Sequence, residues 1–298
     1  MSLSPKTGTL KRGIPRMEYA PLSAKVAWLR STLMSDEQLA TLSQADLPTC
    51  IASLSNTKYG NWCSGINQNS RPRQVYDSIK NCIIECEKLV VRYAPEASKK
   101  YLDAYMLHWE AEEIKASILY SYREGYASLQ RFMEKLGPPW KELNKRLDET
   151  QKTGDTILLT AAADEIYLKE LINAYNKLRS CERGQLAKFV QTQYSWFFYK
   201  ANLLNQNYST NFEYSISPKT LQVNFQDLLK GLQFNEAINK ANEIVTQSLH
   251  KWAESQRHSD QFSPAPAQAA FYLKEEEGKK LGEIIISKIL GLKSAGNT

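Results

Sequence analysis

Glycine and proline are both scarce, at 13 and 11 of 298 residues. Alternating Val-rich runs are scarce too. Few breakers and few alternating stretches favour an all-α chain. No long hydrophobic run is present. The most apolar stretch, Leu281–Leu292, is broken by Glu283 and Lys288 and falls short of the ~20 apolar residues a bilayer requires. The opening MSLSPKTGTLKRGIPR is basic but has no apolar segment, so it reads as a free, disordered tail and not as a secretory signal. Histidine is nearly absent, with only His108, His250 and His258, and none pairs at metal-ligand spacing. The five cysteines, Cys50, Cys63, Cys82, Cys86 and Cys181, form no C-x-x-C. An odd count without a secretory signal leads us to expect reduced thiols. Cys82 and Cys86 are four residues apart on one helix face. They could be half a metal site, but small apolar core residues are the favoured reading.

Phosphate-binding and nucleophile motifs are missing as well. There is no G-x-x-x-x-G-K-S/T, no G-x-G-x-x-G and no G-x-S-x-G, so the chain carries no P-loop of its own. Three scattered histidines give no Ser/His/Asp arrangement to read. We expect no catalytic residue, no cofactor site and no metal site.

Hydrophobic content of 42% and charged content of 23% are ordinary for a globular chain. The length allows one large core or two to three small ones. The net charge of +6 raises the question of nucleic acid. Lys6, Lys11, Arg12 and Arg16 supply four of those charges within the first 16 residues, with no acid among them. The body therefore keeps a net +2, which is no bulk basic excess, and nucleic acid is not an expected partner.

What the chain does have is a helical signature that comes round three times. The copies are Tyr105–Leu119 (YMLHWEAEEIKASIL), Phe189–Leu204 (FVQTQYSWFFYKANLL) and the looser Phe271–Ile285 (FYLKEEEGKKLGEII). The tightest match is Lys-Ala-x-Ile/Leu-Leu, at Lys115–Leu119 and again at Lys200–Leu204, 85 residues on. Three quasi-equivalent helical units suggest a pseudo-threefold object, closer to a ring segment or socket than to a single cleft.

Hydrophobic spacing and caps place the helices. The first runs from about Met17 to Leu33. Ser35 can cap a second, with Gln38 three residues on, and Asp46-Leu47-Pro48 starts a third. Residues 58–72 read as a loop. A long helix from Arg73 to Tyr93 carries Val75, Ile79, Ile83, Cys86 and Val90 as one apolar stripe. Helix is expected from Pro95 to about Leu136, ended by Gly137-Pro138-Pro139. Trp140–Glu149, Thr156–Arg179, Arg183–Leu204, Thr220–Lys230, Phe234–Gln256 and Pro266–Leu292 follow. Polar Asn205–Pro218 is a candidate boundary, and Arg257–Pro266 a linker. The helices fall into three bundles, 17–137, 138–217 and 218–298, after the tail at 1–16. Their apolar stripes must pack together, since isolated helices of this length are marginal in water.

Two acidic clusters stand out, Glu110/Glu112/Glu113 and Glu275/Glu276/Glu277. Facing clusters on helices could hold magnesium for diphosphate chemistry. A solvated face is the commoner meaning of such runs. Glu110 is close to Lys115, and Glu276 is four residues before Lys280, so surface pairing can absorb much of the charge. The run Tyr194-Ser-Trp196-Phe197-Phe198-Tyr199 spreads aromatics around a helix, which means deep burial or, less often, a second face that meets a partner.

The order and spacing of several short motifs resemble the C subunit of V/A-type rotary ATPases, called the d subunit in eukaryotic V-ATPases. The likeness runs from about Glu18 to Leu292. EYAPLSAKVAWLRSTLMSDEQLATL is similar to the family's opening helix and the short helix after it. Tyr19, Ala24, Val26 and Leu33 fit, while Lys25 and Ala27 replace arginines. In LPTCIASLSNTKYG, Leu54, Thr57 and Tyr59 match Leu-x-x-Thr-x-Tyr. Glu110, Glu113, Ile114 and Lys115 follow the family's acid-x-x-Asn-aliphatic-Lys with Glu113 for Asn, and Leu119 lies near a usual Arg. Asp164 to Leu171 resembles Asp-x-x-Tyr-Phe/Leu-x-x-Leu. Lys274, Glu275, Glu277, Leu281, Ile284 and Ile285 follow Lys-Glu-x-Glu-x-x-x-Leu-x-x-Ile-Ile.

The resemblance implies a funnel of three helical bundles with pseudo-threefold symmetry. It implies a non-catalytic central-stalk subunit on the cytoplasmic face of the membrane, a peripheral protein that touches the bilayer only indirectly. Its partners would be the central-stalk subunits and the membrane proteolipid ring, and its task to pass torque during ATP-coupled proton or sodium transport. Glu110, Glu113, Lys115, Lys200, Glu275 and Glu277, at repeat-equivalent or nearby positions, are the candidate partner-binding residues. Two other readings stay open. One is a helical adaptor outside rotary ATPases. The other is an all-α magnesium-dependent enzyme using the two acidic clusters.

Overall fold

The computed structural model describes residues 14–153, 156–208, 225, 229–258 and 262–292, and among them every regular element is a helix. The chain is all-α, as its composition leads one to expect. In chain order the α-helices are α1 (Ile14–Ser31), α2 (Asp36–Gln44), α3 (Leu47–Leu54), α4 (Gly60–Cys63), α5 (Pro72–Val91), α6 (Glu96–Arg123), α7 (Tyr126–Glu134), α8 (Leu147–Thr153), α9 (Ile157–Asn176), α10 (Ser180–Tyr208), α11 (Phe234–Ser255) and α12 (Ala265–Ile289). Short 3₁₀ turns run over Trp140–Arg146 and Gln256–His258. Two compact units result. One comprises Met1–Lys99 with Ala253–Thr298, and the other is Lys100–Trp252.

In the first unit, local chemistry starts the helices where expected. The Ser35 side chain accepts from the Gln38 N–H, and the Gln38 side chain returns the contact to the Ser35 N–H. The Asp46 carboxylate accepts from the Thr49 N–H at 2.9 Å. Each cap satisfies an N–H that the helix itself leaves unpaired. All five residues of the α5 stripe, Val75, Ile79, Ile83, Cys86 and Val90, are buried. α5 and α12 form the main helix pair of this unit. They approach closely because Gly278 of α12 faces Ile79 and Ile83, whose methyl groups fill the space a Cβ would need. From Ala265 to Glu275, every residue of α12 is buried, so its first half is an interior helix. Arg30 of α1 donates to the carbonyl oxygens of Gln256, Arg257 and Pro266, pinning the chain as it returns to α12.

The second unit is built on α6, α9 and α10, with Tyr101, Leu102, Ile118, Leu159, Leu168, Leu171 and Phe189 in its core. Trp252 at the end of α11 closes it. Its indole N–H donates to the Gln185 carbonyl at 3.1 Å, and its ring lies 5.0 Å from that of Phe189. In the aromatic run of α10, Tyr194 and Tyr199 are buried and Trp196, Phe197 and Phe198 half-buried.

Some boundaries differ from expectation. Residues 58–72 are not all loop, since α4 interrupts them. The helix expected from Pro95 to Leu136 is two, split at Gly125, which takes φ +113°. That conformation is open to glycine and strained for other residues. α10 begins at Ser180 and runs to Tyr208, through the first residues of the expected polar boundary. Most of the helix expected over 220–230, and all but the last three residues of the basic tail, lie outside the described residues.

Candidate docking site

The two best-matched copies of the repeated signature meet in the second unit, at one carboxylate. Asp164 belongs to α9, where it follows Ala161-Ala162-Ala163 and precedes Ile166 and Tyr167, all of them buried. The three alanines are small, and the carboxylate that follows them is buried with them. Lys115 of α6 donates to Oδ1 at 2.6 Å, and Lys200 of α10 to Oδ2 at 2.7 Å. The aspartate side chain is 3% exposed, the lysines 26% and 31%. Burial pushes the Asp164 carboxyl up. The ammonium groups of Lys200 and Lys115, with their hydrogen bonds, outweigh that, so the group is held below its ordinary range. Lys115 and Lys200 each occupy the first position of a Lys-Ala-x-x-Leu segment, so the repeat read from sequence corresponds to a shared contact. Leu119, one turn after Lys115 on α6, is exposed, as is Tyr120.

The third copy is in the first unit and is built differently. Lys274 of α12 is fully buried. It donates to Glu277 at 2.6 Å and to the Thr32 carbonyl at 3.1 Å, and its Nζ is 4.4 Å from the centroid of the Tyr59 ring. Glu277 also accepts the Met34 N–H. A buried ammonium needs such a complete set of partners. Burial, and then the neighbouring Glu277, raises the Tyr59 hydroxyl well above its usual pKa.

The six candidate residues thus have distinct surroundings. Glu110 is exposed and accepts the Trp140 indole N–H at 2.9 Å. Glu113 is exposed on α6. Lys115 and Lys200 converge on Asp164. Glu275 and Glu277 are buried in the first unit. The pairings expected from helix spacing differ. Lys115 reaches Asp164 and Glu110 reaches Trp140. Glu276 takes Lys279 at 3.0 Å, while Lys280 reaches Asp36 at 3.4 Å. Spacing along one helix brings pairs within reach, but for Lys115 the buried Asp164 on another helix, 3% exposed, is the partner taken.

Two charged residues escaped sequence reasoning as organising groups, Asp164 and Lys274. Asp164 had a signal, the first acid after an apolar run, ILLTAAAD, and the first residue of the Asp-x-x-Tyr match. Lys274 heads the family's Lys-Glu-x-Glu motif, but its burial had no local signal, because YLKEEE reads as a solvated charge run.

The four cysteines of the first unit, Cys50, Cys63, Cys82 and Cys86, are buried and free, and Cys181 is exposed. Cys82 donates to the Lys58 carbonyl at 3.2 Å. Burial, with Cys50 nearby, pushes the Cys63 thiol up to about 12. Among the described residues no group of three or more His, Cys, Asp or Glu side chains could hold a metal ion. No described helix is long and apolar enough to cross a membrane.

No curated protein matches the chain. A family model, the ATP synthase (C/AC39) subunit, matches residues 22–177, from the buried Leu22 of α1 to the end of α9, and so includes Lys115 and Asp164. That span is more than half of the chain and agrees with the helix order and motifs described above: the protein belongs to the ATP synthase C/AC39 subunit family, a subunit of V/A-type ATPases.

Proposed function

We propose that this chain is a non-catalytic central-stalk subunit of a V/A-type rotary ATPase or ATP synthase. In this reading it is a socket that joins the stalk to the membrane proteolipid ring and passes torque between the ATP-handling head and the ion-carrying ring. It works at the cytoplasmic face as a peripheral protein. The observation that carries the reading is the family match over residues 22–177.

The physical design suits the task. A coupling must be stiff, and packed helices with interdigitated apolar stripes deform little. It needs surfaces and no perturbed catalytic group. The family resemblance implies a funnel of three bundles with pseudo-threefold symmetry, expected over 17–137, 138–217 and 218–298. Glu110, Glu113, Lys115 and Lys200, exposed or half-exposed on the second unit, contact the stalk. Glu275 and Glu277 act from within, by holding the third copy in its seat. Loops and helix ends meet the ring.

Co-purification tests this. The chain is tagged at its C-terminus, native membranes are solubilised in mild detergent, and the proteins that follow are identified. A proteolipid together with nucleotide-binding head subunits is the expected result. A lone protein, under conditions that keep the native ATPase whole, would overturn the reading and favour a helical adaptor outside rotary ATPases.

A further inference from the structure

The lysine pair on Asp164 has more positive charge and more donors than the aspartate can use. Two ammoniums and one carboxylate leave one net positive charge. Each ammonium has three N–H donors, and among the described residues each spends one on Asp164. Both lysine side chains are part-exposed, at 26% and 31%, and each ammonium keeps donors beyond the one it spends on Asp164. The carboxylate between them is 3% exposed and faces away from solvent, so it serves to orient the ammoniums and does not compete for a ligand. The exposed Leu119 lies one turn from Lys115 on the same helix and offers an apolar contact beside the charge.

We propose that Asp164 is the positioning residue of a docking node, holding Lys115 and Lys200 so that their ammoniums together receive one carboxylate side chain of the protein that the second unit docks against. The occupant follows from charge complementarity. Two ammoniums held on one aspartate, with one residual charge, match a single carboxylate, whose two oxygens can each take a charge-assisted hydrogen bond. The node therefore selects one register of docking more than it adds bulk affinity. The proposal rests on the ATPase-subunit reading above and names the partner chemistry for it.

The test uses the full chain in its native complex and reads the retained ATPase subunits as a function of salt. Lys115→Gln and Lys200→Gln are part-exposed changes that each leave Asp164 one partner. Each is expected to weaken retention about tenfold, one charge-assisted contact's worth, and to lower the salt concentration of half-release. Asp164→Asn discriminates further. It raises the charge of the node, so a purely electrostatic role predicts tighter retention and a positioning role predicts weaker. Asp164→Glu is expected to recover part of the loss, and melting curves confirm that the variants compared are folded. Wild-type retention in both lysine variants, or tighter retention in Asp164→Asn, would overturn the node alone. If the wild-type chain retains no ATPase subunit, the ATPase reading fails and the node with it. Binding to phosphatidylserine vesicles that disappears in Lys115→Gln would overturn the protein carboxylate in favour of a lipid headgroup.

Discussion

Asp164 shows how much one side chain can organise. It is buried, it joins three helices, and its partners are 49 and 36 residues away in sequence. Removing its charge leaves two ammoniums facing each other over a neutral group. Asp164→Asn is expected to cost about 3 kcal/mol at neutral pH, since a buried pair broken on one side leaves the other side uncompensated. The pH dependence has a definite sign. The folded-state pKa of Asp164 is depressed, so its contribution is present above the unfolded value of about 3.9 and is lost as pH falls through the lower folded value. The stability gap between wild type and Asp164→Asn should shrink below about pH 4. Urea denaturation at pH 7 and at pH 3 measures it, and a gap that stays constant would refute the assignment. The charges themselves are plain in the sequence. Their pairing is not, because Lys115 has Glu110, Glu112 and Glu113 as nearer neighbours along the chain. Burial of Asp164 between three helices outweighs that proximity.

Among the elements, α5 was the most legible. Its five-residue stripe has the helical period, and every member is buried. The capped starts at Ser35 and Asp46 were equally legible, since a cap is a contact over three residues. The breaks were harder to read. No proline separates α6 from α7, and the break is marked by the positive φ of Gly125. Glycine is also used for close approach, and three positions should respond differently to alanine. At Gly60 a Cβ would lie 2.6 Å from the Ser55 carbonyl oxygen and 2.9 Å from its carbonyl carbon. Backbone cannot move aside cheaply, so Gly60→Ala is expected to cost about 2 to 3 kcal/mol. At Gly278 the obstacle is the tip of the Ile83 side chain, which can rotate, and helix propensity favours alanine. The net cost there is about 1 kcal/mol. At Gly282 the nearest atom is 3.6 Å away, so alanine should be neutral or slightly stabilising. Thermal melts of the three variants should follow that order. Gly60→Ala melting with Gly282→Ala would contradict the account of α4.

For the whole molecule, the first unit is discontinuous in sequence and the second is continuous. α12 completes the first unit. It supplies the close pairing with α5, the buried Lys274 and the Glu277 acceptor for Met34. A chain truncated before residue 262 should leave residues 19–91 unprotected in hydrogen exchange, while 158–204 remain protected. Protection of 19–91 without α12 would show that the unit stands without it. The sequence by itself determined that the chain is helical, where most helices begin and which apolar stripes face inward. Caps and apolar stripes act within one or two turns, so a local window contains them. It also carried the family motifs, whose order survives substitution at single positions. Tertiary structure alone decided which charges meet. It turned the repeated lysines of α6 and α10 onto Asp164 and buried Lys274 where sequence reads as solvated. The reason is physical: an ion pair is chosen by desolvation and distance in the packed chain, and neither quantity exists until distant helices have come together.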